Sequence, residues 1–219
     1  MKLIVKKCKD FELTGDGSSP EWQQAEWQKM TYLGAEEQSY STRCKTVYSD
    51  TGIYFLVDCE DQVISCSFTE DMQPIFTEDV FEVFLDPAYA ESGQQRVYFE
   101  YELSPLDKEL VLLVPNDEEV FHGWLPWHYE GDRRIRHATN IKGGEKLPMA
   151  SCTGWQAECF IPFALLSGLA NGTPESGTQW RGNIYRIDYD KGASGHWAWN
   201  DATGGNFHNY NKFGILKFE

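Results

Sequence analysis

Apolar residues along the chain cluster in short segments bounded by Gly, Pro, Asn, Asp and Ser, the pattern of β-strands joined by turns. The clearest predicted strands cover 3–8, 42–49, 52–59, 63–68, 79–86, 96–103, 109–115, 134–141, 154–162, 182–190, 196–200 and 213–218. SDTG at 49–52 predicts a tight hairpin between two of them. Helical pattern is scarce. SPEWQQAEWQKM, with Ser19 as N-cap and Pro20 at the first helical position, and PFALLSGL, ended by Gly168, each predict a short helix. Many strands without alternating helices predict an all-β fold: one domain over 1–219, an antiparallel β-sandwich of two sheets, jelly-roll or immunoglobulin-like, with one or two short helices.

Within the segment DVFEVFLD, Val80, Phe81, Val83, Phe84 and Leu85 are apolar on both pleat faces, as in a strand covered on both sides. Glu82 stands among them, on the face of Val80 and Phe84. A carboxylate buried without partners costs several kcal/mol or takes up a proton, so this residue demands an explanation. The next segment, YFEYEL, puts Glu100 and Glu102 on one face with Tyr98, about 6.7 Å apart at Cα. If the two strands pair, the three carboxylates line one patch. In NIYRIDYD, Ile184, Arg186 and Asp188 share a face and offer a compensating cation. Three readings of the patch compete: the acid and nucleophile of a glycosidase, acceptors for sugar hydroxyls, or a solvent-exposed, salt-bridged sheet face.

Aromatic residues sharpen the choice. Eight Trp, eleven Tyr and thirteen Phe are a high load, and several fall in loops. Phe76 precedes the acidic strand; Phe207, His208 and Tyr210 lie in a polar, Gly-rich loop before the last strand; Trp124, Trp127 and Tyr129 lie in HGWLPWHY. Such residues either stack on the C–H faces of sugar rings or fold back over the sandwich edge. Trp197 and Trp199 share a strand face and are expected in the core.

The net charge of −15, from 34 acidic and 19 basic residues, repels phosphate backbones and anionic lipid, which argues against nucleic acid and membrane partners. It suits neutral ligands, and Ca²⁺ held by loop carboxylates. Asp58, Glu60 and Asp61 in DCEDQ are the candidate ligands of a structural Ca²⁺, with Glu70 and Asp71 in TEDM as further donors; no other cofactor is expected. No apolar run reaches 18 residues, and the opening MKLIVKKCKDFEL reads as a first strand, not a signal peptide. The six cysteines form no CxxC pair and are expected to be free, buried thiols. No HExxH, GxSxG, P-loop, GxGxxG or EF-hand pattern is present.

Taken in order, GIYFLVDCED, FTEDVFEVFLDP, YFEYELSP, GWQAECFIPF, WRGNIYRIDYD and HWAWND…NFHNYNKFGILKF resemble the family 9 carbohydrate-binding modules, from about residue 25 to the C-terminus. The most specific parts are D-x-x-E-x-F-x-D (Asp79, Glu82, Phe84, Asp86) and F-G-x-L (Phe213, Gly214, Leu216). The resemblance implies a β-sandwich that binds, without cleaving, the end of a glucan- or xylan-type chain, with structural Ca²⁺ and a place in secreted glycan-degrading proteins. The setting it implies is extracellular or periplasmic, whereas the unpatterned cysteines and the opening segment point to the cytoplasm.

In the family, two Trp clamp the terminal sugar. Phe76 and Phe207 fall at those two positions, Glu82 at a hydroxyl-binding Glu, and Arg186 at a polar sugar-contacting position. Glu100 and Glu102 stand where the characterised modules carry Arg and Asn, which reverses the local electrostatics. The candidate sugar site is therefore Phe76, Glu82, Glu100, Glu102, Arg186 and Phe207, and the polar members must share one sheet face. The alternatives are a glycoside hydrolase using Glu82 with Glu100 or Glu102, and a degenerate module serving protein interaction.

Overall fold

The computed structural model describes residues 1–34, 40–88, 96–117, 120–190, 194–200, 202 and 205–219. Asp201, Thr203 and Gly204 of the Gly-rich loop lie outside them. The strands are β1 (Lys2–Lys7), β2 (Gln28–Lys29), β3 (Thr31–Tyr32), β4 (Thr42–Tyr48), β5 (Gly52–Cys59), β6 (Val80–Asp86), β7 (Arg96–Leu103), β8 (Glu109–Asp117), β9 (Val120–Phe121), β10 (Leu125–Pro126), β11 (Arg136–Lys142), β12 (Gly154–Pro162), β13 (Gln179–Asp188), β14 (Gly195–Ala198) and β15 (Gly214–Phe218). One sheet has the order β10-β8-β7-β6-β13-β15-β1, and the other β1-β4-β5-β12-β11. They face each other as a β-sandwich, hinged on β1, whose first four residues pair with β15 and whose last two pair with β4. All other ladders are antiparallel, while both pairings of β1 are parallel, a departure from the purely antiparallel expectation.

Alternation along each strand sorts side chains between the sheets and the outside. Phe81, Val83 and Leu85 of β6 and Phe99, Tyr101 and Leu103 of β7 meet Phe55, Val57, Trp155, Cys159 and Ile161 of the opposite sheet in the main core. The outer faces are covered too. Residues 8–27 fold over the β4–β5–β12 sheet, with Trp22 packed on Val47, Tyr54 and Phe160. On the other side, Ile75, Ala202, Phe207, Tyr210 and Phe213 cover Val80, Phe84, Tyr98, Leu112 and Tyr185. This double cover explains why β6 is apolar on both faces.

The hairpin at 49–52 forms as predicted, with Ser49 N–H donating to Gly52 O at 2.9 Å. The segment 63–68 is not a strand; only Val63 bridges, to Ser151. Side chains capture several of its backbone donors instead, Ser65 N–H by Asp79 at 2.6 Å and Ser67 N–H by Glu78 at 2.7 Å, while Ile64 N–H donates to Ala150 O. The segment after Ser19 forms one 3₁₀ turn (Pro20–Gln24), and the Ser19 hydroxyl donates to Glu12 O instead of capping it. The Phe163–Leu166 helix, α1, is a single turn. All six cysteines are free.

Candidate functional site

Strands β6 and β7 pair with Glu82 directly opposite Glu102 and with Phe84 opposite Glu100. Alternation therefore sends all three carboxyls to the outer face of the sheet, where they line a cavity of about 350 Å³. The cover over this face is incomplete there, and its edges are largely aromatic, with Phe76, Phe121, Trp124, Phe207 and His208 in the lining.

Each rim residue is held by its neighbours. Phe76 sits in a 3₁₀ turn (Ile75–Thr77) pinned by fully buried Ile75, by Thr77 N–H and hydroxyl bonds to Pro74 O, and by the Tyr189 hydroxyl donating to Phe76 O at 3.3 Å. Its ring stays 40% exposed. Phe207 stacks on Tyr185 at 4.0 Å and 9°, and the Tyr185 hydroxyl donates to Phe207 O at 3.1 Å. One face of the Phe207 ring is thus covered, and the residue is only 9% exposed. Phe121, 43% exposed, lies against His208 at 4.5 Å, and Trp124 is 47% exposed. His208 is fixed by the Tyr98 hydroxyl at 2.7 Å on Nδ1 and by Asn116 Nδ2, which donates to its carbonyl.

The carboxyls are almost fully enclosed, at 2%, 4% and 1% exposure for Glu82, Glu100 and Glu102. Contrast Glu158, equally buried, whose carboxylate accepts from Thr14, Gly15 and Gly17 N–H and from Trp22 Nε1. Among the described residues around the cavity no such donors gather: Oε2 of Glu100 and Oε2 of Glu102 are buried without a hydrogen-bond partner. Burial pushes the Glu100 carboxyl up to about 7. Burial, and then the charge of Glu100, raises Glu82 well above the carboxylate range; Glu102 is raised by burial and then by both neighbours. His208 lies 3.9 Å from Glu100, but burial lowers it to about 4, so it is a neutral ring at pH 7. His196, also in the lining, is lowered by burial.

Of the six predicted sugar-site residues, the structure gathers Phe76, Glu82, Glu100, Glu102 and Phe207 around this cavity and places Arg186 elsewhere. Tyr185 is the β13 partner of Glu82, so the next residue, Arg186, opposite Phe81, points between the sheets. There its guanidinium is fully buried, 2.9 Å from Asp61 and 2.6 Å from Asp188, bonded to Thr42 and lying over Trp197 at 4.8 Å. Arg186 is a core ion-pair residue. Phe121 is the lining aromatic that sequence reasoning missed; it reads as a strand end, and its place depends on β9 folding back on β8. Trp124 comes from the aromatic loop singled out in the sequence, whereas Trp127 of that loop donates to Leu165 O and packs on the core. Trp197 and Trp199 are buried, as expected.

The three predicted Ca²⁺ ligands do not converge. Asp58 is bound by Arg43 and Lys142, Glu60 accepts from Ser41 N–H, and only Asp61 turns inward. Asp61 instead meets Asp79 and Asp190, with carboxylate oxygens all within 4.8 Å of one another. Oδ1 of Asp190 has no hydrogen-bond partner, and burial, with the neighbouring acids, raises Asp61 to about 7 and Asp79 to about 8. Against these three carboxylates and Asp188 the described residues set one cation, Arg186, an excess of negative charge that suits a hard cation with oxygen ligands. Asp71, Glu109 and His128 also cluster, but Arg134 already lies 3.0 Å from Glu109 and takes the cation's place.

A family model, "Carbohydrate family 9 binding domain-like", matches residues 14–219. The chain belongs to this family. No curated protein sequence matches it. Among solved structures it is similar to a Bacteroides uniformis protein described as a candidate carbohydrate-binding protein, with TM-score 0.78 and 15% identity, over 100% of this chain and 99% of that one. It is also similar to a family 9 carbohydrate-binding module of Caldicellulosiruptor kristjanssonii. In complex with cellotriose that module gives TM-score 0.67 and 17% identity over 100% of this chain and 94% of that one; in complex with glucose it gives 0.66 and 18% over 100% and 96%. At these identities the likeness supports the fold, a carbohydrate-binding-module sandwich.

Proposed function

We propose that the cavity over β6 and β7 binds the end of a glucan- or xylan-type oligosaccharide and does not cleave it. The observation that carries this reading is the combination of three enclosed carboxyls on the cavity floor with exposed Phe76, Phe121 and Trp124 at its edge. Carboxyl groups accept from, and when protonated donate to, sugar hydroxyls, while the aromatic faces pack on ring C–H groups. A cavity of about 350 Å³ is at the small end of ligand sites, which suits one or two sugar rings over a long stretch of polymer. The bound cellotriose and glucose of the similar modules support the ligand class. Hydrolysis is disfavoured by the electrostatics: a glycosidase needs one carboxyl raised and one left ionised, whereas all three here are pushed the same way.

Calorimetric titration with glucose, xylose, and cello- and xylo-oligosaccharides tests the reading. The expected dissociation constants lie between about 1 µM and 1 mM. Absence of binding to every one of them, or binding unchanged in Phe76→Ala, would overturn it. For a structural Ca²⁺, the residues we propose are Asp61, Asp79 and Asp190.

A further inference from the structure

The cavity floor is unusual for a neutral ligand, because three carboxyls converge on it and one oxygen each of Glu100 and Glu102 has no partner. We propose that the sugar it takes carries a protonated amine, as in the glucosamine units of a de-N-acetylated glycan, held by Glu82, Glu100 and Glu102 with Phe76, Phe121 and Trp124 around it. The inference rests on the carbohydrate reading of this site and deepens it.

Four observations carry it. Cross-strand pairing brings Glu82 and Glu102 face to face, with Glu100 two residues along the same face of β7, so three carboxyls converge on one small volume. Oε2 of Glu100 and Oε2 of Glu102 are buried and lack partners, each at a cost of about 1–3 kcal/mol unless a ligand supplies the donor. Among the described residues lining the cavity there is no Lys or Arg, and burial holds His196 and His208 neutral. The buried guanidinium on the same face of β7, Arg96, pairs with Asp86 and lies over Tyr210, and Arg186 is on the other face of the sheet, held by Asp61 and Asp188. An ammonium group offers three donors in a compact cation, one for each carboxyl, and the exposed faces of Phe76, Phe121 and Trp124 attract the same charge. A neutral hydroxyl offers one donor and no charge.

Binding of a cation exchanges protons on the floor for the ammonium charge, so amine affinity rises with pH through the range where Glu100 titrates, near 7. Among the described residues, the other titratable groups facing the floor are Tyr98, Tyr185, Tyr189, His196 and His208, and none of them carries positive charge at pH 7.

The test is calorimetry on the intact chain at low salt, with glucosamine di- and trisaccharides against their N-acetylated forms and against cellobiose and cellotriose. We expect the free amines to bind at least tenfold tighter than either neutral series, with that preference growing from pH 5 to pH 6, where the sugar amine keeps its proton. In Glu100→Gln, a nearly isosteric change, the preference should fall towards one. Equal or weaker binding of the amines in the wild-type protein overturns the inference and leaves the carbohydrate reading standing. An amine preference unchanged in Glu100→Gln and in Glu102→Gln also overturns it, by assigning the attraction to the acidic surface at large. No binding of any sugar, charged or neutral, overturns both readings.

Discussion

Glu82 and Glu102 face each other across the β6–β7 ladder, both almost fully enclosed, with no Lys or Arg among the described residues of the cavity they line. Directly opposed residues on a sheet have Cβ atoms about 4.5–5.5 Å apart, so two ionised carboxylates there repel strongly. The ligand-free protein resolves this by holding protons, and that has consequences for stability as well as for binding.

The first prediction concerns pH. Glu82, Glu100 and Glu102 are raised above their ordinary values by burial, so the folded chain holds protons that the unfolded chain has released. For Glu100 this contribution is fully present below about 4.5, the unfolded value, and is lost as pH rises through about 7. Asp61 and Asp79 act with the same sign. Thermal melts of the ligand-free protein should therefore show stability falling from pH 5 to pH 7.5. Glu100→Gln should flatten the curve by on the order of 2 kcal/mol, because each tenfold change in proton affinity is worth about 1.4 kcal/mol. An identical pH slope in wild type and Glu100→Gln would refute the assignment.

The two predicted clamp residues should separate in mutation. Phe76 is 40% exposed on a rigid turn, so Phe76→Ala should weaken glycan binding roughly tenfold, the value of a stacked ring, and change unfolding free energy by less than about 0.5 kcal/mol. Phe207 is stacked on Tyr185 and covers the outer core, so Phe207→Ala should cost about 3 kcal/mol of stability. Urea unfolding paired with titration of each variant distinguishes the two cases. Comparable destabilisation in both variants would show that Phe76 is cover material, not part of a binding edge.

That separation also marks how far the sequence could be read. Alternation alone puts Glu82 with Phe84, and Glu100 with Glu102, on their correct faces, because the period of a strand is local. Arg186 departs from its expected face because that face, relative to Glu82, depends on the β6–β13 register, a pairing between segments about a hundred residues apart that no local pattern encodes. Segment 63–68 has strand-like composition, yet Glu78 and Asp79 take the backbone donors of Ser65, Ser67 and Phe68, a competition visible only once the chain is folded. Phe121 and the Asp61–Asp79–Asp190 cluster are hidden from the sequence for the same reason, since each is assembled from separated parts of the chain.

Arg186 supplies the third prediction. Its guanidinium is fully buried between Asp61 and Asp188, so Arg186→Met removes the cation and leaves uncompensated acids in the core. Breaking such a pair typically costs about 3–5 kcal/mol. Urea denaturation should show a loss of that size, while the residual folded fraction at low temperature keeps its glycan affinity, because the cavity lies on the opposite face of the sheet. A large affinity loss with intact stability would instead put Arg186 in the binding site.

The last prediction turns on the same acidic group. Asp61, Asp79 and Asp190 present oxygens within 4.8 Å of one another, Oδ1 of Asp190 has no partner, and Arg186 offsets only part of the negative charge. Asp79 also accepts from Ser65 and Tyr189 N–H, so a bound ion would tie the 61–65 segment to the end of β13. An ion that binds only the folded chain stabilises it by about 2.7 kcal/mol at a hundred times its dissociation constant, roughly 5–10 °C in melting temperature for a chain of this size. Millimolar Ca²⁺ should raise the melting point of EGTA-treated protein by such an amount, Mg²⁺ by less because it demands tighter octahedral geometry, and Asp190→Asn should abolish the difference. A Ca²⁺ effect that survives Asp190→Asn but disappears in Asp58→Asn would move the ion to the exposed carboxylates of the β5 end, where Arg43 and Lys142 already compete for the charge.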